Sequence, residues 1–467
     1  MEIPRPIGYR WRSSRVFILA TIALALFAET FLYGFVVPIL THMLEVRLHI
    51  DPSQTQSYIT TLLSIHGLIS LASAPIIAHF VDKSRNRKIP LLIALAGSLV
   101  GTVLVAWTPA LWVLFFGRYM QGICGAATWI VSFAIMLDCT AAEDMGKTLG
   151  IVMTFVTTGF IGGPTIAGIL LELVGYWATW SVPMTILILD IVARLLMIES
   201  RDVSSKQSPP STSDTPESDE TTALIPDNNT EATQSDTPPS IAPSRGFYRI
   251  VLSDARVLVA LANIFFFSFI ISGFEATIPL HVRDVFGWGS MGTGLMFFCL
   301  QLPSFFLAAL GGMLRDRCGL KYPTALGWAL LAPLFWLLGV PGDKRFPWAG
   351  PETGGKTIFP VTMAVFGTVA MLVRGAGSLQ LSLVTKDMQT KDPLIFGPGG
   401  GNARAQSILE MAFSLGMMAG PLVTGTLSET VGYYYMTFTL ACLSLGLSFL
   451  CYTYLDGKRQ KDPVSQA

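Results

Sequence analysis

The chain alternates long apolar runs with short polar breaks. Twelve runs reach or approach the roughly 20 residues that cross a bilayer as a helix: 16–40, 58–80, 89–107, 111–137, 148–171, 177–198, 256–280, 291–311, 322–340, 357–383, 402–424 and 433–455. The first run contains Ala23-Leu24-Ala25, the small-residue pattern of a signal-peptide cleavage site. It continues unbroken to Leu40, too long for a cleaved apolar segment. The pattern predicts an all-α membrane protein of twelve transmembrane helices.

Between the sixth and seventh runs the pattern stops. Residues 200–246 are rich in Ser, Thr, Pro, Asp and Glu, a composition that cannot bury enough apolar surface to order itself. A disordered cytosolic linker is therefore expected at 200–250, joining a six-helix half at 1–199 to another at 251–467. Glu220, Leu224 and Ile225 in "ETTALI" fit an acidic dileucine sorting string of the kind that routes proteins to vacuoles or endosomes. The sequon Asn228-Asn229-Thr230 lies in the same stretch, where a cytosolic location would leave it unglycosylated. Both a plasma-membrane and a vacuolar-membrane location stay open.

Composition agrees with the span pattern: 51% hydrophobic and 13% charged, where soluble proteins carry about 25% charged residues. A formal net charge of zero gives no reason to expect a nucleic-acid partner. The six cysteines (124, 139, 299, 318, 442, 451) show no metal-ligand spacing and no disulfide framework, and the five histidines do not cluster. No metal, cofactor or enzymatic activity is expected. Basic residues set the orientation. Arg5, Arg10, Arg12 and Arg15 precede run one, and Lys83, Arg85, Arg87 and Lys88 follow run two. Arg315, Arg317 and Lys321 follow run eight, and Lys458, Arg459 and Lys461 follow run twelve. With an even span count these share one side, so both termini are expected in the cytosol.

The halves repeat one another. "AHFVDKSRNRK" at 78–88 and "GMLRDRCGLK" at 312–321 close equivalent runs. "GFIGGPTIAG" in run five and "GMMAGPLVTG" in run eleven share G-x3-G-P-x3-G: Gly159, Gly163, Pro164 and Gly168 match Gly416, Gly420, Pro421 and Gly425. At the same offset of 257, Glu172 matches Glu429, Gly175 matches Gly432 and Tyr176 matches Tyr433. Duplicated halves of six spans are a transporter architecture. Glycines four apart give a smooth face for close helix approach, and each proline removes one helical hydrogen bond, which suggests a bend.

On these motifs the chain resembles the major facilitator superfamily, in its twelve-span drug:proton antiporter branch. Gly312–Lys321 is similar to the family's loop signature G-x-L-x-D-R-x-G-x-K, and "RYMQGICGAA" at 118–127 to its R-x-x-Q-G pattern. The acids Glu29, Glu275 and Glu410, set nine, four and ten residues before a proline or Gly-Pro, resemble those of vesicular monoamine transporters and their fungal relatives. His66 falls where those proteins carry lysine. The resemblance implies a conformational latch formed by Asp82, Lys83, Arg87, Gly312, Asp316, Arg317 and Gly319. It also implies a site in which Glu29 and Glu275 chiefly hold substrate and Glu410 chiefly carries the proton, with His66 a relay or a core residue.

Physical chemistry supports such roles. An ionisable group in mid-membrane costs about 2.5–3.5 kcal/mol on insertion scales and marks function by default. A carboxylate there can exchange between protonated and ionised forms as its surroundings change, and can hold an organic cation in the proton's place. Arg118 is expected to pair with a carboxylate. Asp190 and Arg194, four apart on one helix face, are expected to form a structural pair. Arg374 in run ten would oppose a cationic substrate.

"GPETGGKT" at 350–357 fits the P-loop string, but it lies between two apolar runs with no globular domain around it. Use of ATP is not expected. The sequence thus predicts a monomeric exchanger in the lipid bilayer, trading protons for a lipophilic cationic drug or metabolite by export or sequestration. A proton-coupled nutrient symporter of the same fold and a non-transporting receptor are the alternatives.

Overall fold

The computed structural model describes residues 8–83, 87–140, 144–197, 247–391 and 402–455. Among them there are helices and turns and no strand. Helix α1 runs Arg15–Phe35 and continues, past a turn at Val36, through Val37–His42 and a π-helical turn at Met43–Arg47. Pro38 explains the interruption, since it has no N–H to give to the Gly34 carbonyl. Next come α2 (Pro52–Lys83), α3 (Lys88–Trp107), α4 (Leu111–Cys139), α5 (Met145–Leu173) and α6 (Tyr176–Leu196). The second half holds α7 (Ala255–Phe286), α8 (Ser290–Cys318), α9 (Lys321–Gly339), α10 (Gly355–Ala370, then Ala376–Lys391), α11 (Asn402–Thr430) and α12 (Tyr433–Tyr454). Among the described residues eleven helices are long and apolar enough to cross a membrane, and Gly355–Ala370 is apolar but shorter.

Run ten was expected whole over 357–383, and the structure corrects this. The helix breaks at 371–375, where Gly375 has φ +75°. A left-handed glycine ends a helix. Carbonyls freed inside a membrane must find donors, and the Arg315 guanidinium of α8 donates to the Arg374 carbonyl. Most of the expected linker, with Glu220, Leu224, Ile225 and Asn228, lies outside the described residues. Its last part includes a short helix, Phe247–Leu252.

The two halves repeat one packing scheme. In the first, α1 lies along α5, and α3 packs on α4 and α6; in the second, α7 lies along α11, and α9 packs on α10 and α12. The repeated glycines explain the first pairing in each half. A Cβ on Gly159 would sit 2.7 Å from the Phe27 carbonyl oxygen, and one on Gly163 would strike the Phe31 carbonyl. Gly416 and Gly420 meet the Phe265 and Phe269 carbonyls in the same way. Gly168 and Gly425 instead face the opposite half, against Ser290–Gly294 of α8 and Thr60 of α2. Helices α5 and α11 run through Pro164 and Pro421 without a break in the helix.

The halves meet through α2 with α11 and through α5 with α8. Their polar links gather toward one end of the bundle, called the far end below. There Gln56 Nε2 donates to the Ala276 carbonyl at 3.0 Å, and the Met291 N–H donates to Glu172 Oε2 at 3.0 Å. Arg283 of α7 pairs with Glu45 at the end of α1. The opposite, basic end carries the end of α2, the start of α3 and the end of α8. There Arg12 Nε donates to the Leu196 carbonyl at 2.6 Å, and Lys88 Nζ to those of Leu195 (3.0 Å) and Met197 (2.5 Å). Cations thus satisfy the last carbonyls of α6, where the helix dipole is negative.

Candidate functional site

A polar cluster lies inside the bundle, built from four helices. Glu29 and Tyr33 stand four apart on α1 and so share a face. Glu29 is 6% exposed, His66 of α2 7%, Arg118 of α4 1% and Glu275 of α7 3%. The Tyr33 hydroxyl donates to Glu275 Oε2 at 2.6 Å, a hydrogen bond between the halves. The His66 ring lies 5.2 Å from that of Tyr33. The Glu29 carboxylate rests against α4, where a Cβ on Gly125 would sit 2.9 Å from its carboxyl carbon. Gly125 is seven residues from Arg118, nearly two turns along, which puts both on the face of α4 turned to this cluster.

Arg118 departs from expectation. Its Nη1 donates to Gln121 Oε1 at 2.9 Å, and Gln121 Nε2 donates to Thr102 Oγ1 at 3.1 Å. It makes no ion pair with a carboxylate among the described residues. Nε and Nη2 are buried and have no partner there. Its charge still acts on Glu29, Glu275 and Tyr33. The guanidinium is held back by Gln121, near both carboxylates and in contact with neither. Two unused donors in an apolar interior are costly, so the arrangement favours anything that brings an acceptor within reach.

The other predicted residues lie apart. Glu410 is half-buried on α11, seven residues toward the basic end from Met417, whose Sδ lies 3.8 Å from Tyr33 Oη. Seven residues of helix span about 10 Å, so Glu410 is not part of the Tyr33–Glu275 contact. Arg374, at the break in α10, reaches across to Thr157 Oγ1 of α5 at 3.5 Å. Asp190 and Arg194 are fully buried, and the Arg194 charge acts on Asp190. Arg194 Nη2 donates to the Thr21 carbonyl at 3.1 Å and Nη1 to Met197 Sδ at 3.4 Å, while the Asp190 oxygens have no hydrogen-bond partner among the described residues.

For the expected latch, the side chains of Asp82, Lys83 and Asp316 lie outside the described residues. Gly319 ends α8 at φ +79°, its N–H bonded to the Arg315 carbonyl at 2.8 Å. Gly312 has open space beside it, Arg317 is exposed, and Arg87 sits at the start of α3. Lys321 lies over Tyr452 of its own half, 4.5 Å from the ring centre. In "GPETGGKT" a tight turn leads directly into α10, with no strand before it.

Sequence reasoning missed Tyr33, Glu45 and Arg283, and it caught Gln121 only as part of the R-x-x-Q-G pattern, without its bond to Arg118. Tyr33 had a signal, four residues after Glu29 on an apolar helix. The Glu45–Arg283 pair had none, because its members are 238 residues apart at the ends of two runs.

Twelve helices in two matching halves, eleven of them long and apolar enough to cross a membrane, with ionisable groups from both halves between them, have the architecture of a membrane transporter. Residues 22–390 match the Major Facilitator Superfamily, and the chain belongs to that family. It is 32% identical over 450 residues to an uncharacterized MFS-type transporter of Schizosaccharomyces pombe, covering 95% of this chain and 94% of that one. It is 26% identical to the MFS-type transporter ppzB of Metarhizium rileyi, covering 97% and 98%. A tetracycline resistance protein, class B, of Escherichia coli is 26% identical over 78% of this chain and 83% of its own length. Among solved structures a D-xylose-proton symporter superposes with a TM-score of 0.67 at 12% identity, covering 95% of this chain and 98% of that one. That last likeness is one of fold.

Proposed function

We propose that the protein is a proton-coupled antiporter that exports or sequesters a lipophilic organic cation. The observation that carries this reading is the interior pair of carboxylates. Glu29 comes from one half and Glu275 from the other, with a single guanidinium nearby that touches neither. A carboxylate buried in a bilayer needs a counter-charge or a proton, and the two occupants exclude one another. The Tyr33–Glu275 bond ties occupancy to the relation between the halves. When a cation draws the Glu275 carboxylate away from Tyr33, one interior link between the halves is lost. Glu410, closer to the basic end, is placed to receive a proton from that side. The name of the Escherichia coli relative, a resistance protein, supports a foreign or toxic compound as cargo.

On the basic-residue distribution, the basic end and both termini face the cytosol. The protein acts as a monomer in a plasma or vacuolar membrane. A latch of Asp82, Lys83, Arg87, Asp316 and Arg317 fastens the basic end when the far end opens.

The test is proton flux in sealed proteoliposomes holding an internal pH dye and an imposed proton gradient. A panel of lipophilic cations should release protons with the intact protein, and Glu29→Gln and Glu410→Gln should abolish that release. Protons moving together with a neutral sugar or nucleoside would overturn exchange in favour of symport. A flat trace with every cation would overturn the cargo class.

A further inference from the structure

At the far end a cavity of about 310 Å³ lies between α2, α7, α11 and the start of α12. Its walls include Ser53, Gln56, His281, Arg283, Glu429 and Tyr433. We propose that this cavity is a second binding site, one that takes a small protonated amine bearing an aromatic ring.

The argument starts from His281, which is 9% exposed. One ring nitrogen is bonded to the Pro341 carbonyl, while Nε2 is buried with no partner among the described residues. A neutral imidazole that donates through Nδ1 presents Nε2 as a bare acceptor. The Tyr433 ring stacks on His281 at 3.6 Å between ring centres, and its buried hydroxyl has no partner either. One wall of the cavity thus combines an aromatic face with polar atoms that nothing in the fold satisfies. Buried polar groups in this state are rare, and a ligand is one of the reasons for them.

Charge selects the ligand. Arg283 is engaged by Glu45 and by Asp284, the latter at 2.7 Å, so its charge is already answered twice. Glu429 is exposed at the cavity and has no hydrogen bond or ion pair among the described residues. The fold explains why it is left over. Its repeat counterpart, Glu172, accepts from the Met291 N–H and so caps α8 of the other half. The equivalent helix start, that of α2, already has a cap: Asp51 Oδ1 accepts from the Ser53 N–H at 2.8 Å. Hydrogen bonds from Ser53, through its side chain and then its backbone, hold the Asp51 carboxyl below the usual carboxylate range. Glu429 therefore has no helix to cap and lines the cavity with its carboxyl group. A carboxyl group, a bare imidazole nitrogen and an aromatic face together fit a cationic N–H donor attached to a ring.

The inference deepens the cation-exchanger reading, in that exported cargo leaving by the far end passes this cavity. Binding here does not require transport, and the two can fail separately. The probe is 4-fluorophenethylamine, followed by fluorine NMR with the full chain in lipid nanodiscs. The background is Glu29→Gln with Glu275→Gln, which removes the interior carboxylates. Saturable broadening in that background is expected. It should weaken by about tenfold or more with Glu429→Gln and by several-fold with Tyr433→Phe, as loss of a charged and of a neutral hydrogen bond implies. The alcohol 2-(4-fluorophenyl)ethanol, lacking the charge, should bind at least tenfold more weakly. No binding in the background, an unchanged affinity with Glu429→Gln in folded protein, or equal affinity for the alcohol would each overturn the site. Binding that persists in this background while the intact protein shows no cation-driven proton release would overturn the transport reading and leave this one standing.

Discussion

At the scale of single residues, the interior cluster depends on who touches whom. Tyr33→Phe removes only the hydroxyl that joins α1 to Glu275. Hydrogen bonds to charged groups contribute about 1.5–3 kcal/mol, so substrate affinity should change by roughly tenfold or more. In a Glu275→Gln background the same change should have much less effect. Equal effects in both backgrounds, read from cation binding curves, would show that the bond carries no coupling. Most of the cluster's members were legible in the sequence, because ionisable residues inside apolar runs identify themselves. Their contacts were not legible. Arg118 was expected on a carboxylate and is held by Gln121, since three residues along one helix bring a glutamine carbonyl closer than any acid from another helix. Tyr33 escaped notice because a tyrosine in an apolar run reads equally well as packing.

At the scale of elements, the repeated glycines set how closely α1 can approach α5 and α7 can approach α11. Gly420→Ala would push a methyl group onto the Phe269 carbonyl and Ser272. Overpacking of this kind costs about 1–3 kcal/mol. Gly446→Ala, on α12 with nothing within 4 Å, should stay within about 0.5 kcal/mol. Thermal melting followed by fluorescence-detected size exclusion distinguishes the two, and equal melting points would refute the packing role. Span positions were readable from hydropathy because each run must supply its own backbone hydrogen bonds in lipid. The break in α10 was not readable. Arg374 and Gly375 sit inside an apolar run, and a donor from another helix, Arg315, makes the broken form tenable.

At the scale of the whole molecule, far-end closure rests on a few polar links and on close helix packing. Glu45 and Arg283 keep 21% and 28% of their side-chain surface exposed. Pairs this exposed contribute about 0.2–1 kcal/mol. Arg283→Ala should therefore shift the population toward far-end opening by no more than about fivefold. A cysteine placed at Thr277, which lines the far-end cavity and is 1% exposed, should then react faster with a membrane-impermeant maleimide, above the background of the six native cysteines. No change in rate would mean that packing of Gly168 on α8 and Gly425 on α2 holds the end shut alone. The two-half architecture was evident from the repeat, whereas the closed end depended on pairings that no local pattern encodes.

The clasp on the end of α6 has a mechanical consequence. Arg12 comes from the chain's start and Lys88 from the start of α3, and both grip the last three residues before the chain leaves the first half. A pull at Met197 is therefore borne by the Tyr9–Arg12 turn and the start of α3 together and does not unwind α6 turn by turn. The connection between the halves departs from a fixed post, and its usable length is counted from there. Shortening it should leave the fold of each half alone and act on how far the two can rock apart.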